Sequence, residues 1–354
     1  MPGNIINNFN AMKKLICTLL VSACLMQMAA EEKAQTPPAR FWGNQNVYLQ
    51  RQANVMFDMV DQTLDRNPPQ KGVPETRKLA LANLDMLLHD TINDNSAALP
   101  GFLDKRVRKM TDSMGKPVTS GYELYKIYND GFVARTPSVS IAFDIVRGMC
   151  RDKHLISDSL IGAVTDKCDI LFITHNHSDH GDPGVVEMFL QAGKPVIAVP
   201  EFMPDDKRIR HIRPADGSSY KGKAELPGGK KLDLLIYPGH QDDLMNNLYV
   251  VTTPEGRTFA HVGDQYQSKS EDMEWIPGIT PELPPVDALI FNCWNTRLPQ
   301  IISTFRPTVA VPGHENEMGH TIDHREAFWL TFQKMEKSPA DYVVMGWGEC
   351  LKQP

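Results

Sequence analysis

Cysteine is sparse in this 354-residue chain, and no two cysteines form a Cys-x-x-Cys pair. Past residue 30 only Cys150, Cys168, Cys293 and Cys350 remain, widely spaced. That spacing argues against a disulfide framework and predicts core thiols. Positive charge is also short: 37 Lys and Arg against 43 Asp and Glu give a net charge of −6. Binding to phosphate backbones needs a basic face, so no nucleic-acid partner is expected. Beyond residue 30 no apolar stretch approaches the ~20 residues of a membrane span. Internal repeats of fixed period and low-complexity segments are absent.

What the N-terminus does have is a leader. Residues 12–30 join Lys13 and Lys14 to an apolar run of signal-peptide length, which predicts export to the periplasm or cell envelope. Val21-Ser22-Ala23-Cys24 resembles a bacterial lipoprotein cleavage box, and Met28-Ala29-Ala30 a weaker site for ordinary signal peptidase. A lipid anchor at Cys24 and a soluble exported form both remain open.

Residues 44–66 place Leu49, Ala53, Met56, Phe57, Val60 and Leu64 at helical spacing, and Asn67-Pro68-Pro69 stops that helix. Pro74 suits the first turn of a second helix, striped by Leu81, Leu84, Leu88 and Ile92. This predicts an N-terminal helical hairpin. From Gly121 the period changes to two, with strands at 123–128 and 139–145, then 232–237, 248–252, 258–262, 288–291 and 309–311. Helices are predicted at 156–164, 185–192 and 326–337. Residues 205–213 are rich in cations and read as a solvated strand or loop. The expected division is a leader over 1–35, a helical segment over 36–118 and a catalytic domain over 119–354, an α+β fold of packed sheets with helices outside.

The chemistry concentrates where the apolar run Ile170–Ile173 ends in Thr174-His175-Asn176-His177-Ser178-Asp179-His180-Gly181. The period of two puts His175 and His177 on one face, where they can share an ion. A turn after Ser178 lets Asp179 and His180 serve a neighbouring position. Imidazole with carboxylate suits zinc and its first-row neighbours better than calcium or magnesium. Later strands end in Gly239-His240, Gly263-Asp264 and Gly313-His314, three more donors that a common sheet edge would bring together.

The ordered series His-x-His-x-Asp-His, Gly-His, Gly-Asp, Gly-His resembles the metallo-β-lactamase superfamily over residues ~120–350. The run Phe259-Ala260-His261-Val262-Gly263-Asp264 is similar to the branch that contains ascorbate-6-phosphate lactonase and N-acyl phosphatidylethanolamine phospholipase D. The resemblance implies a four-layer αββα sandwich, preceded here by the helical hairpin, with a dinuclear site between the sheet edges. It implies His175, His177 and His240 on a first metal, Asp179, His180 and His314 on a second, Asp264 bridging and Asp144 supporting the ligands from behind. The metals expected are two Zn²⁺, with Mn²⁺ or Fe as alternatives.

The expected reaction is hydrolysis of an ester, lactone or phosphodiester in a small molecule. Water held between two such cations loses a proton near pH ~7, and Asp179 would orient the resulting hydroxide. Diiron members of the superfamily carry glutamate where His177 stands, which favours hydrolysis over redox chemistry. An iron-containing redox protein on the same scaffold is the alternative, and a non-catalytic binding module the third reading. Asn292, Trp294 and His320 are expected at the rim, against substrate, with His261 beside Asp264 packing away from the metals. His320 and His324 are expected at the start of the last helix.

Overall fold

The computed structural model of the chain describes residues 44–90, 97–265 and 270–354. The predicted leader, the Cys24 box and Ile92 lie outside the described residues. The chain divides into two compact units, Met1–Gln52 and Ala53–Pro354, and all that follows concerns the second apart from the first turns of the opening helix. Among the described residues no helix is long and apolar enough to cross a membrane.

Three helices come first: α1 (Gln45–Arg66), α2 (Glu75–Leu88) and α3 (Ala98–Met114). The strands β1 (Tyr122–Tyr128), β2 (Gly131–Arg135) and β3 (Ser140–Phe143) follow, then the short pair β4 (Met149–Cys150) and β5 (Lys153–His154). Next are α4 (Asp158–Thr165), β6 (Ile170–Phe172), α5 (Pro183–Gln191), β7 (Val196–Ala198) and β8 (Arg210–His211). The second half runs β9 (Tyr220–Glu225), β10 (Lys231–Gln241), β11 (Leu244–Thr252), β12 (Thr258–His261), α6 (Ser270–Trp275), β13 (Ala288–Asn292), α7 (Leu298–Phe305), β14 (Val309–Gly313), α8 (Phe328–Met335) and β15 (Glu349–Gln353).

Two mixed sheets carry the fold. One has the order β15-β1-β2-β3-β6-β7-β8 and the other β14-β13-β12-β11-β10-β9. The alternation of strand side chains explains where their cores lie. Leu124, Phe132, Ile141 and Phe172 of the first sheet share one apolar cluster with Leu234, Ile236, Tyr249 and Ile290 of the second. The residues between them in sequence face the other way. Tyr125, Val133 and Leu171 join a cluster with Phe57, Leu84, Leu103, Leu160 and Val185 from the helices α1 to α5. Val250, Ala260 and Leu289 join another with Met273 and Ile301. Burying a Leu or Phe fully contributes roughly 1.5–3 kcal/mol, so these three clusters supply most of the drive to fold.

The third helix, α3, is not among the expected elements. Pro100 and Gly101 read as loop punctuation, yet Pro100 falls in the first turn, where a missing N–H costs nothing. Its buried stripe of Leu99, Phe102, Leu103, Val107 and Met110 then packs normally. Arg106 of α3 is buried and donates to Asp61 Oδ1 of α1 at 2.9 Å and to Trp347 O at 2.7 Å. Arg77 of α2, also buried, donates to Asn67 O, Val344 O and both carboxylate oxygens of Glu349. Charged groups taken out of water must be paired this way, and here the pairs tie the helices to β15.

Two further differences are local. The last helix starts at Phe328 rather than residue 326, because Glu326 forms a parallel bridge with Glu315 and Ala327 is extended at φ −75°, ψ 147°. His320 and His324 therefore do not open that helix. His324 ends a short 3₁₀ turn, Ile322–His324. The edge strands β9 and β15 were hidden by polarity and by shortness.

Candidate metal centre

The ends of β6, β12 and β14 deliver the site. β6 stops at Phe172, and the chain then turns through the histidine-rich run, closed by hydrogen bonds from the N–H groups of His180 and Gly181 to His177 O at 3.1 and 2.7 Å. Asp182 caps α5 by accepting from Gly184 N and Val185 N, which fixes where that run ends. Beyond β12, Gly263 has φ +52°, and a Cβ there would lie 2.4 Å from Asn246 Oδ1 and 2.6 Å from Thr174 Cβ. Glycine is required for Asp264 to reach the cluster. Beyond β14, His314 and Asn316 both hold positive φ, 71° and 56°. That strained turn is held by the buried Lys126–Glu315 ion pair and by Asn316 Nδ2 donating to Asp85 Oδ1 at 2.8 Å.

Among the described residues four groups of donor atoms each lie within 4.8 Å of one another: two sets at the cavity, His175, His177 and Asp264 and then Asp179, His180 and His314, and two through Asp130, with Asp144 and His261 and with His180 and Asp264. Asp264 sits between the sets. Its Oδ1 is 3.2 Å from His180 Nε2, and its Oδ2 is 3.7 Å from His175 Nε2 and 3.5 Å from His314 Nε2. Asp179 Oδ2 lies 3.1 Å from His314 Nε2 and 3.7 Å from His180 Nε2.

Asp144 aims both key imidazoles. Its Oδ2 accepts from His180 Nδ1–H at 2.9 Å and from the Thr174 hydroxyl at 2.6 Å, while Oδ1 accepts from Thr174 N–H at 2.8 Å. Having spent its proton on Asp144, Thr174 Oγ1 can only accept from His175 Nδ1, 3.0 Å away. Both rings are thereby held with Nε2 turned inward. His175 Nε2, on a side chain 0% exposed, is a lone pair with no hydrogen-bond partner, while His180 Nε2 faces Asp264 Oδ1. A buried lone pair without a donor is costly, and a cation would satisfy it.

The electrostatics point the same way. Burial and the neighbouring positive His180 hold His175 down to about 3, so it stays neutral. Burial alone would raise Asp264 and Asp179, yet the charge of His180 and the His314 ring keeps both carboxyls ionised far below their usual range. Burial opposes charge on His314 as well, but Asp264 and Asp179 lift it to about 9. Without metal, protons on His180 and His314 balance the two carboxylates. A divalent cation would replace those protons, and the donor set of imidazole and carboxylate fits one at each position.

His240 stands apart from both sets. Its Nδ1 faces the Asp272 carboxylate at 3.0 and 3.2 Å, and its Nε2 takes a hydrogen bond from the Arg213 guanidinium at 3.0 Å. Arginine has only donors, so this ring donates Nδ1–H to Asp272 and spends its Nε2 lone pair on Arg213. The structure thus does not bring His240, expected among the first metal's ligands, to either donor set.

A cavity of about 460 Å³ opens over the cluster, lined by His177, Asp179, Asp264 and His314 and by Asn292, Trp294, His320 and Gln241. Asn292 Nδ2 donates to Asp264 Oδ1 at 2.7 Å. The Trp294 ring contacts those of His314 and His320 at 5.5 and 5.8 Å. His261 lies beneath, accepting from Gly263 N–H at 3.0 Å and donating to Asp130 O at 3.1 Å, so it steadies the turn that carries Asp264. Asn129, Asp130, Thr174, Asn246 and Gln241 also belong to the site and were not singled out from the sequence. Asn129-Asp130-Gly131 reads as hairpin-turn chemistry. Thr174 had a signal in standing directly before the first histidine.

No family model matches the chain, and no curated protein matches it. Among solved structures it is similar to Igni18, a metallo hydrolase from Ignicoccus hospitalis, at 22% identity and TM-score 0.47, over 66% of this chain and 99% of that one. It is similar to CmlA, a diiron β-hydroxylase from Streptomyces venezuelae, at 13% identity and TM-score 0.45, over 67% of this chain and 55% of that one. It is also similar to an isothiocyanate hydrolase from Delia radicum gut bacteria, at 13% identity and TM-score 0.43, over 65% and 98%. The similar structures include proteins named as metal-dependent hydrolases and one named for the metallo-β-lactamase superfamily.

Proposed function

We propose that the chain is a metal-dependent hydrolase of the metallo-β-lactamase superfamily, with its two sheets and outer helices arranged as an αββα sandwich over residues 119–354. The observation that carries this reading is the pair of donor sets about the buried Asp264, with His175 Nε2 a buried lone pair without a donor and His180 Nε2 turned to Asp264. His175, His177 and Asp264 would hold one divalent ion, and Asp179, His180, His314 and Asp264 a second, zinc being the default for a mostly imidazole set. Such ions, when bound, supply water that ionises near neutral pH and a positive field for a developing oxyanion.

The chain's own residues supply the rest. Asp144 and Thr174 keep two imidazoles in the ligating tautomer. Asp179, at the cavity wall, can accept a hydrogen bond from the attacking water and set its direction. Asn292 fixes the rotamer of Asp264, and Trp294 with His320 walls the cavity through which a small substrate would reach the cluster. The bond cleaved would be an ester, a lactone or a phosphodiester. The acidic chain, the leader at 12–30 and the Cys24 box support an exported enzyme without nucleic-acid partners.

The test is to purify the full chain and assay it, with zinc, manganese and iron in turn, against p-nitrophenyl acetate, an acyl-homoserine lactone, bis(p-nitrophenyl) phosphate, a thioester and a cephalosporin. Turnover of at least one oxygen ester that vanishes with His177→Ala is expected. Metal binding without turnover of any of them would overturn the hydrolase reading, and iron with oxygen consumption would replace it by the redox one.

A further inference from the structure

The hairpin of β10 and β11 ends at the cavity. Along β10 the register with β11 is continuous through His240↔Met245 and Gln241↔Leu244, so consecutive residues at its end point apart. His240 is turned to Asp272 and Arg213. Asp272 is itself held there, accepting from Gln265 Nε2 at 2.9 Å and from Trp275 Nε1 at 3.1 Å. Arg213 is fixed by Gly239 O at 2.8 Å and Asn246 O at 3.3 Å. For His240 to ligate, it would have to break its bonds to both, and Arg213 would be left with a desolvated face. Gln241 has the opposite placement. It lines the cavity with His177 and Asp264, and its Oε1 is buried without a hydrogen-bond partner.

We infer that Gln241, not His240, is the residue this hairpin presents to the first metal position, and that His240 serves to lock Arg213 and the hairpin end. The inference rests on the metal-dependent reading above. The first position is then built from two imidazoles, one carboxylate and one amide oxygen. An amide oxygen is a harder donor than imidazole, so the preference for zinc over manganese is weaker here than three histidines would give.

The experiment is metal binding by the full chain, read as stoichiometry by elemental analysis and as affinity by competition with a chromogenic chelator, for zinc and manganese. Gln241→Ala should weaken one of two ions by about tenfold or more, the scale seen when a metal's supporting groups are removed. His240→Gln should leave both affinities within about threefold of the parent, and Gln241→His should tighten zinc selectively. The opposite pattern, with His240→Gln losing one ion and Gln241→Ala losing none, overturns the inference while leaving the metalloenzyme reading intact. A parent chain that binds no metal overturns both. Because Gln241 stands at the cavity rather than in a core, Gln241→Ala tests the assignment even if His240→Gln proves unstable.

Discussion

Asp144→Asn should separate ligand orientation from ligand identity. Asp144 sits at φ +46°, a conformation that asparagine shares easily with aspartate, so the backbone is kept where alanine would not keep it. The carboxylate accepts three hydrogen bonds, from Thr174 N–H, the Thr174 hydroxyl and His180 Nδ1–H. An amide has only one oxygen. If that oxygen replaces Oδ1, the new NH₂ confronts His180 Nδ1–H, and the ring escapes by moving its proton to Nε2, the nitrogen that must ligate. If it replaces Oδ2, the NH₂ confronts Thr174 N–H and leaves a buried donor unpaired, at about 1–3 kcal/mol.

Removing a carboxylate that orients a ligating histidine lowers metal affinity by about 10- to 100-fold. At about 1.4 kcal/mol per factor of ten, this is about 1.4–2.8 kcal/mol. The assay is chelator competition on parent and Asp144→Asn chains, with a thermal melt to confirm folding. A metal affinity within about twofold of the parent in a folded variant would refute the argument that Asp144 aims these rings.

Other outcomes follow from the same contacts. Arg77→Met leaves Glu349 buried with its main partner gone, so urea melts should show a loss of about 3–5 kcal/mol. A loss well under 1 kcal/mol would mean the pair is not buried as described. Burial would raise the Asp61 carboxyl, but Lys105, Lys109 and Arg106 hold it below its ordinary value. A folded value depressed this way gives stability that is present above the unfolded value of about 3.9 and is lost as pH falls through the folded one. Asp61→Asn should therefore be destabilised at pH 7, with the gap to the parent closing below pH ~4, and a gap independent of pH would contradict it. Trp294→Ala should raise KM by about tenfold, or about 1.4 kcal/mol, and leave metal content unchanged, because the ring walls the cavity without donating to the cluster. Loss of metal in that variant would put Trp294 in a supporting role instead.

Periodicity was enough to show the two helices α1 and α2 and most strands of both sheets, because half-buried strands and amphipathic helices print their faces in the sequence. It missed α3, where Pro100 and Gly101 resemble a loop, and β9, whose Lys221, Gly222 and Lys223 suit a solvated edge. The histidine-rich run after β6 announced the donor cluster, and the Gly-Asp and Gly-His endings of later strands pointed to Asp264 and His314. His240 had the same signature as His314, a histidine after glycine at a strand end, and only the placement of Arg213 and Asp272 separates them. Those partners lie 27 residues before and 32 after it, beyond the reach of local pattern. The Thr174–Asp144–His180 relay was half legible, since Asp144 was expected behind the ligands while its hydroxyl link to His175 depends on rotamers.

The claim on which all of this depends is that six buried or half-buried side chains hold two cations with Asp264 between them. The most direct measurement is the metal content of the full-length chain, compared with that of Asp264→Ala, both reconstituted with zinc and desalted. Two ions per parent chain, and weakened binding of both in Asp264→Ala, are predicted. A parent chain that retains its fold but takes up no zinc, or an Asp264→Ala chain that keeps two ions at parental affinity, would contradict it.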